Sequence, residues 1–167
     1  MGDDGGEFER FFRREYRMVV ATVVPIVGSV EDAEAVVQEA FLKAHVRWRR
    51  VRRLDRPGAW VRRIAIRDAV RAVPTQRPQG DPRPVSAIGF DGDLVQRLEL
   101  NDALRQLPPR QRAAVALHYL AGWPAADIGD ALGCAEATVR VHLHRGRQHL
   151  HDLLSAHSST EELTDGR

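Results

Sequence analysis

The chain has 167 residues, 43% of them hydrophobic, and a formal charge of +2, which suits one ordinary domain or two small ones and hides any charged partner in the global balance. A single cysteine, Cys134, excludes an intrachain disulfide framework and a thiolate zinc site and fits a reducing compartment. No apolar run has the length of a signal peptide or a membrane span, so a soluble, cytoplasmic protein is expected.

Residues 1–7 read as a disordered, glycine-rich acidic tail. Phe8, Phe11, Phe12, Tyr16, Val19, Val20, Val23 and Val24 then recur at steps of three and four, predicting an amphipathic helix over 8–24 that Pro25 kinks or ends. Val36, Val37, Ala40, Phe41 and Ala44 repeat the pattern over 30–45, with Glu31, Asp32 and Glu34 where a helix N-terminus favours negative charge. Local charge is then asymmetric. Residues 1–46 hold nine acidic side chains against five basic ones, whereas residues 47–77 hold eleven arginines against two aspartates. A cationic block that dense is expected to face a polyanion. A third helix opens at Pro57, carries Trp60, Val61, Ile64 and Ala65 inward, and stops at Pro74.

Residues 74–92, "PTQRPQGDPRPVSAIGFDG", concentrate proline and glycine without helical period and read as a linker. Beyond it, residues 94–106, 109–121, 125–132 and 136–154 each read as helix, and 155–167 as a tail. No strand pattern competes, so the expected class is all-α, with two small helical domains at 8–73 and 93–154.

The second domain ends in a helix-turn-helix signature. Pro124 suits a first helical turn, Gly133 can take the left-handed conformation that redirects the chain, and Gly129 lacks a side chain where the two helices cross. Val139, Leu143, Gly146, Leu150 and Leu153 form one stripe, expected to face the core. Arg140, Val141, His144, Arg145 and His151 lie opposite, with Thr138, His142 and Arg147 at the margins. A major groove accepts such a helix, arginine reaching guanine and an apolar group meeting the thymine methyl. A merely solvated cationic helix is the bland alternative. The four histidines between 142 and 151 lack i, i+4 pairs and accompanying carboxylates, so no metal is expected, nor any cofactor. The sequence also lacks a phosphate loop, a nucleophile elbow or paired catalytic carboxylates, which argues against an enzyme.

Taken together, "AEAVVQEAFLKAH" at 33–45, "PGAWVRRIAIRDAVRA" at 57–72 and "LRQLPPRQRAAVALHYLAGWPAADIGDALGCAEATVRVHLHRGRQHL" at 104–150 resemble, in order, regions two and four of bacterial RNA polymerase sigma factors of the extracytoplasmic-function (ECF) type. The resemblance implies a two-domain initiation factor. Gln38 and Glu39, with Asp32, Glu34 and Lys43, would meet the polymerase clamp helices. The loop with Arg49, Arg50, Arg52 and Arg53, and the helix with Trp60, Arg63 and Arg67, would hold the minus-10 element as single strand. Unstacked bases need aromatic or guanidinium partners, which makes this chemically sensible. Thr138, Arg140, Val141, His142, His144 and Arg145 would take the minus-35 element as duplex, and the domain would also meet the polymerase flap. Two elements some two helical turns apart lie about 70 Å apart at a groove repeat near 34 Å. An anti-sigma factor is a further partner the resemblance leaves open. A freestanding helix-turn-helix regulator, or a relative that binds polymerase without melting promoters, are the alternatives.

The chain departs from the family pattern at several positions. Ala35 replaces a carboxylate and His45 a tryptophan; Arg67 stands where asparagine is common, Arg71 where aspartate is, and Pro74 arrives early. Ala135 replaces the serine cap of the recognition helix, a loss worth about 1 kcal/mol. Val141 and His142 replace a Ser-Arg pair. Of the two tryptophans in the arginine block, Trp60 is expected in the core and Trp48 nearer the surface. Because neutral imidazole carries no cation, mild acidification is expected to tighten DNA binding through His142.

Overall fold

The computed structural model describes the backbone of residues 4–73 and 94–164 and the side chains within 5–73 and 99–156; the expected linker at 74–92 lies outside the described residues. Among these, the structure is helical throughout, without strands.

Helix α1 spans Asp4–Val27 and so begins four residues before Phe8. Pro25 does not end it. The ring removes one ladder bond in the final turn, but Ile26 and Val27 beyond it are buried, and packing outweighs the lost bond. Gly28, at φ 92°, then turns the chain. Helix α2 (Val30–Val46) starts at Ser29, whose hydroxyl oxygen accepts from the Asp32 amide at 3.1 Å. It buries Ala33, Val37, Ala40, Phe41 and Ala44.

A short helix α3 (Trp48–Val51), unexpected from the sequence, interrupts the arginine stretch because Trp48 and Val51 both turn inward. Trp48 is 6% exposed and sits edge-on to Phe8, with ring centroids 5.2 Å apart, and 5.0 Å from Phe11. Helix α4 (Pro57–Ala72) opens with proline at its first turn, as expected. Gly58 is buried there beneath the Glu15 carboxylate of α1, which a β-carbon would strike. Helices α1, α2 and α4 pack mutually around Phe11, Phe41, Val37, Val61 and Ala65.

The second set is α5 (Leu94–Gln106), α6 (Pro109–Val115), a π-helical turn (Ala116–Leu120), α7 (Ala125–Leu132) and α8 (Glu136–Thr164). The expected boundaries at 94–106 and 125–132 are reproduced. Helix α8 runs ten residues past Leu154, into the stretch read as a tail. The π-helical turn loosens the end of α6 and is closed by Trp123 N donating to Leu117 O at 2.9 Å and by His118 Nδ1 against Trp123 O at 2.8 Å.

The two sets of helices are not apart. One continuous buried cluster runs from Phe11 through Ala69 and Leu117 to Val139, with α7 lying on α4 and α5 and α6 on α1. At the centre is Arg112, 2% exposed, whose guanidinium donates to Ile26 O at 3.0 Å, to Leu107 O at 3.1 Å and to Arg105 O.

Candidate nucleic-acid interface

The helix-turn-helix is built by backbone constraints at two glycines. Gly133 adopts φ 69°, ψ 41°, the left-handed conformation that ends α7. At Gly129, which accepts the Cys134 amide at 3.0 Å, a β-carbon would stand 2.7 Å from Cys134 O, so α7 and the turn meet only because that atom is missing. Cys134 itself is half-buried and packs on the core.

Helix α8 is then held by Val139, fully buried, and by Leu143 and Leu150 against Leu104, Leu107 and Val115. His149 Nδ1 meets Gln111 Oε1 of α6 at 2.9 Å. The opposite face carries Thr138, Arg140, Val141, His144 and Arg145, all exposed. Val141 is 46% exposed, an apolar group in water amid cations. Arg140 is ion-paired one turn back to Glu136, a surface pair that orients the guanidinium along the helix without fixing it.

His142 behaves differently from the expectation. It is half-buried between α8 and Arg110, with Nδ1 buried and no partner among the described residues. Burial, reinforced by the positive charges of Arg110 and Arg145, holds its pKa below the ordinary histidine value of 6.5. That shift opposes protonation of the imidazole and so works against the expected tightening on acidification. A duplex-binding titration from pH 7.5 to 6 at fixed salt should give the same pH dependence for the wild type and His142→Asn. The sign for folding follows from the same shift. A base whose folded pKa is depressed favours the folded state fully above 6.5, and that contribution is lost as pH falls through the folded value.

The arginine-rich side faces the surface at Arg49, Arg50, Arg52, Arg53 and Arg63, with Arg52 Nη1 on Glu7 Oε2 at 2.8 Å. The tryptophans exchange their expected places. Trp48 is core, because α3 folds it onto Phe8 and Phe11, whereas Trp60 is half-buried and lines a cleft of about 640 Å³ with Arg63, Arg56, Arg62, Trp123 and Asp127. Arg67 is half-buried: its Nε donates to Ala131 O at 2.9 Å and its Nη2 to Asp130 O at 3.1 Å, both at the C-terminal end of α7.

Along α2, Asp32, Glu34, Gln38 and Glu39 share an exposed face, while Lys43 is half-buried by its 2.7 Å bond to Asp68 Oδ2 of α4. Sequence reasoning missed Leu42 and Val46, which are 55% and 74% exposed. The signal was available: they continue the 38, 42, 46 line, and 38 and 42 each stand one position past the buried Val37 and Phe41. Among the described residues no group of three potential metal ligands occurs, and no helix is long and apolar enough to cross a membrane.

Comparison with known proteins matches residues 11–78 to Sigma-70 region 2 and residues 97–150 to Sigma-70, region 4. The ECF RNA polymerase sigma factor SigE of Mycolicibacterium smegmatis is 36% identical over 90% of this chain, which spans 60% of that relative's length. The RNA polymerase sigma factor CarQ of Myxococcus xanthus is 32% identical, covering 90% of this chain and 92% of its own. The ECF RNA polymerase sigma factor SigM of Mycobacterium tuberculosis is 31% identical over 88% of this chain and 76% of its own. Among solved structures, extracytoplasmic function sigma factor SigJ of Mycobacterium tuberculosis superposes with TM-score 0.63 at 26% identity, over 84% of this chain and 52% of that one. The sigma factor RpoE of Bartonella quintana, crystallised with the anti-sigma factor NepR, shares the fold at TM-score 0.64 and 21% identity, over 89% of this chain and 97% of its own.

Proposed function

Because the chain belongs to the ECF group of the sigma-70 family, we propose that it joins core RNA polymerase, reads a minus-35 element as duplex and a minus-10 element as melted strand, and starts transcription of a particular set of genes. The observation that carries this reading is the pairing, in one chain, of a groove-sized helix with an exposed reading face, α8, and a cationic, aromatic-bearing helix, α4. A freestanding regulator needs the first and has no use for the second.

The residues divide by the kind of nucleic acid they suit. Thr138, Arg140, Val141, His144 and Arg145 face outward from the first three turns of α8, where a recognition helix meets base edges, and cations at its flanks meet phosphate. His142, neutral and half-buried, acts there as a spacer against Arg110. Arg49, Arg50, Arg52, Arg53 and Arg63 supply phosphate contacts to a strand, and Trp60 offers a ring at the mouth of the cleft. The polar face of Asp32, Glu34, Gln38 and Glu39, with the exposed apolar Leu42 and Val46 beyond it on the same helix, forms the surface for polymerase; a protein interface uses such a mix of apolar and polar groups. Lys43 serves this face by pinning α2 to α4 through Asp68. An anti-sigma protein is a further partner, in keeping with the fold likeness to a factor crystallised with one.

Val141 is the side chain expected to set the minus-35 preference. A methyl-bearing, hydrogen-bond-free group favours a thymine methyl, so Val141→Ser should relax or redirect preference at one base position by about 1–3 kcal/mol, leaving other positions unchanged. Selection from a randomised minus-35 library with wild-type and variant holoenzyme measures this; an identical preferred sequence would remove Val141 from the reading face.

The role as a whole is tested by mapping transcript starts from core polymerase reconstituted with the protein on a promoter library. Starts that require the protein and share two spaced elements support it. Sequence-specific duplex binding without polymerase-dependent starts would replace it with the freestanding regulator.

A further inference from the structure

A smaller cavity, of about 220 Å³, lies within the first set of helices, between α1 and the arginine loop. Its lining brings together Glu7, Arg10, Phe11 and Arg14 of α1, Trp48 of α3 and Arg52 just beyond α3. Three guanidinium groups thus meet one carboxylate. Like charges gathered so closely repel unless an anion stands among them.

The fold places two of these cations in advance. Arg14 stands over the Phe11 ring at 5.7 Å and its Nε donates to Glu15 Oε1 at 3.0 Å, so the side chain is held before any ligand arrives. Arg52 Nη1 meets Glu7 Oε2 at 2.8 Å, and the two side chains stay 33% and 44% exposed, within reach of a competitor from solvent. Trp48 adds a different signal. The ring is 6% exposed, and its indole N–H is buried without an acceptor among the described residues. Buried donors are normally satisfied. Arg17, three residues past Arg14, continues the exposed cationic line of Arg10 and Arg14 along α1.

Size and charge together select the ligand. Pockets that enclose a drug-sized molecule measure about 300–1,000 Å³, so this one seats a single group and leaves the rest of the ligand outside. Planar guanidinium forks match the oxygens of a phosphate. We propose that Arg10, Arg14 and Arg52 form a phosphate site, and that Glu7 holds it as a resident carboxylate until a phosphate displaces it from Arg52. The phosphate has two sources, the backbone of a single strand or a free nucleotide. Arg52 belongs to the loop read as strand-binding, so the strand is the nearer source, and α1 then extends its path beyond that loop. That extension rests on the minus-10 reading; the site itself rests on the cavity alone.

The test titrates the full chain at fixed ionic strength with two probes, ATP and a single-stranded DNA oligomer of about 12 nucleotides, a length such grooves cover. Fluorescence anisotropy reads affinity for the oligomer. The indole N–H resonance of Trp48, identified against Trp60→Phe and Trp123→Phe, reads occupancy. The oligomer should move that resonance. Arg10→Gln and Arg14→Gln should each weaken oligomer binding about three- to tenfold and make log affinity less steep in log salt by about 0.7. Glu7→Gln keeps the shape and removes the resident charge, so it should tighten binding about threefold; a carboxylate with a structural role only would not do so when lost. Arg13→Gln, exposed on the same helix and paired to Glu9, should change affinity by less than about twofold. Circular dichroism establishes that each variant is folded. A resonance that responds to the oligomer alone assigns the site to a strand, and one that responds to ATP assigns it to a free nucleotide. A resonance unmoved by both probes, or a Glu7→Gln protein that binds no tighter than the wild type, would overturn the site. Transcript-start mapping stays separate, because it can fail while the resonance responds, or succeed while it does not.

Discussion

Arg112→Met should lower the unfolding free energy by about 3–5 kcal/mol, the largest loss expected from any single substitution in the chain. The side chain is 2% exposed and its guanidinium is the donor for Ile26 O, Leu107 O and Arg105 O. Methionine fills much of the volume and supplies no donor, so carbonyls in a buried seam are left without a partner at about 1–3 kcal/mol each. Better apolar packing returns part of that. A domain of this size has about 5–15 kcal/mol in total, so the loss would leave a large unfolded fraction at physiological temperature. Lysine is no substitute, since one ammonium lacks the planar fork that reaches Ile26 O on one segment and Arg105 O and Leu107 O on another. Urea unfolding measures the effect; Arg110→Met, an exposed neighbour, should stay within about 0.5 kcal/mol of the wild type. Equal midpoints for the two variants would show that the buried fork contributes nothing net.

Gly129→Val should disable duplex recognition more than it lowers stability. The nearest atoms to a β-carbon at 129 are Cys134 O at 2.7 Å, Glu136 N at 3.5 Å and Ala135 C at 3.6 Å, all backbone, so no rotamer change relieves the clash. The turn and the start of α8 must move. Overpacking of this kind costs about 1–3 kcal/mol, but a shifted recognition helix misplaces several side chains together. Duplex affinity should therefore fall at least tenfold at a temperature where circular dichroism still reports helix. Gly146→Ala is the contrasting case: its β-carbon would approach Val115 Cγ2 at 2.6 Å, the end of a side chain that can rotate. That variant should lose less of both properties. A Gly129→Val protein that binds like wild type would mean that the turn has slack the close approach denies.

The secondary structure was largely legible because hydrophobic period, proline and glycine all agree along this chain. Pro57 and Gly133 mark the start of α4 and the end of α7 by mechanisms that act within a few residues. The misses share a cause. Pro25 inside α1, the extra turn of α1 before Phe8 and the inward swing of α3 depend on partners far away in sequence. Trp48 is the sharpest example: surrounded by arginines it reads as a surface ring, but Phe8 and Phe11 sit 37 to 40 positions earlier and receive it. A one-dimensional pattern registers that Trp60 is in phase with Ile64; it does not register that α7 stops short of covering the ring and leaves a cleft.

Site chemistry divides the same way. The identities and spacing of the α8 reading face and of the arginine block were written in the chain, because helical period alone decides which side chains share a face. What charge and engagement those side chains have was decided by the fold. Burial beside Arg110 keeps His142 neutral, Asp68 draws in Lys43, and the end of α7 takes Arg67. The sequence by itself determined an all-helical chain with its arginine-rich stretches and the family to which it belongs, since these follow from local pattern and ordered motifs. Only the tertiary structure decided that the two halves close on each other through buried and half-buried arginines, because a guanidinium's partner is set by which carbonyls long-range packing brings within reach.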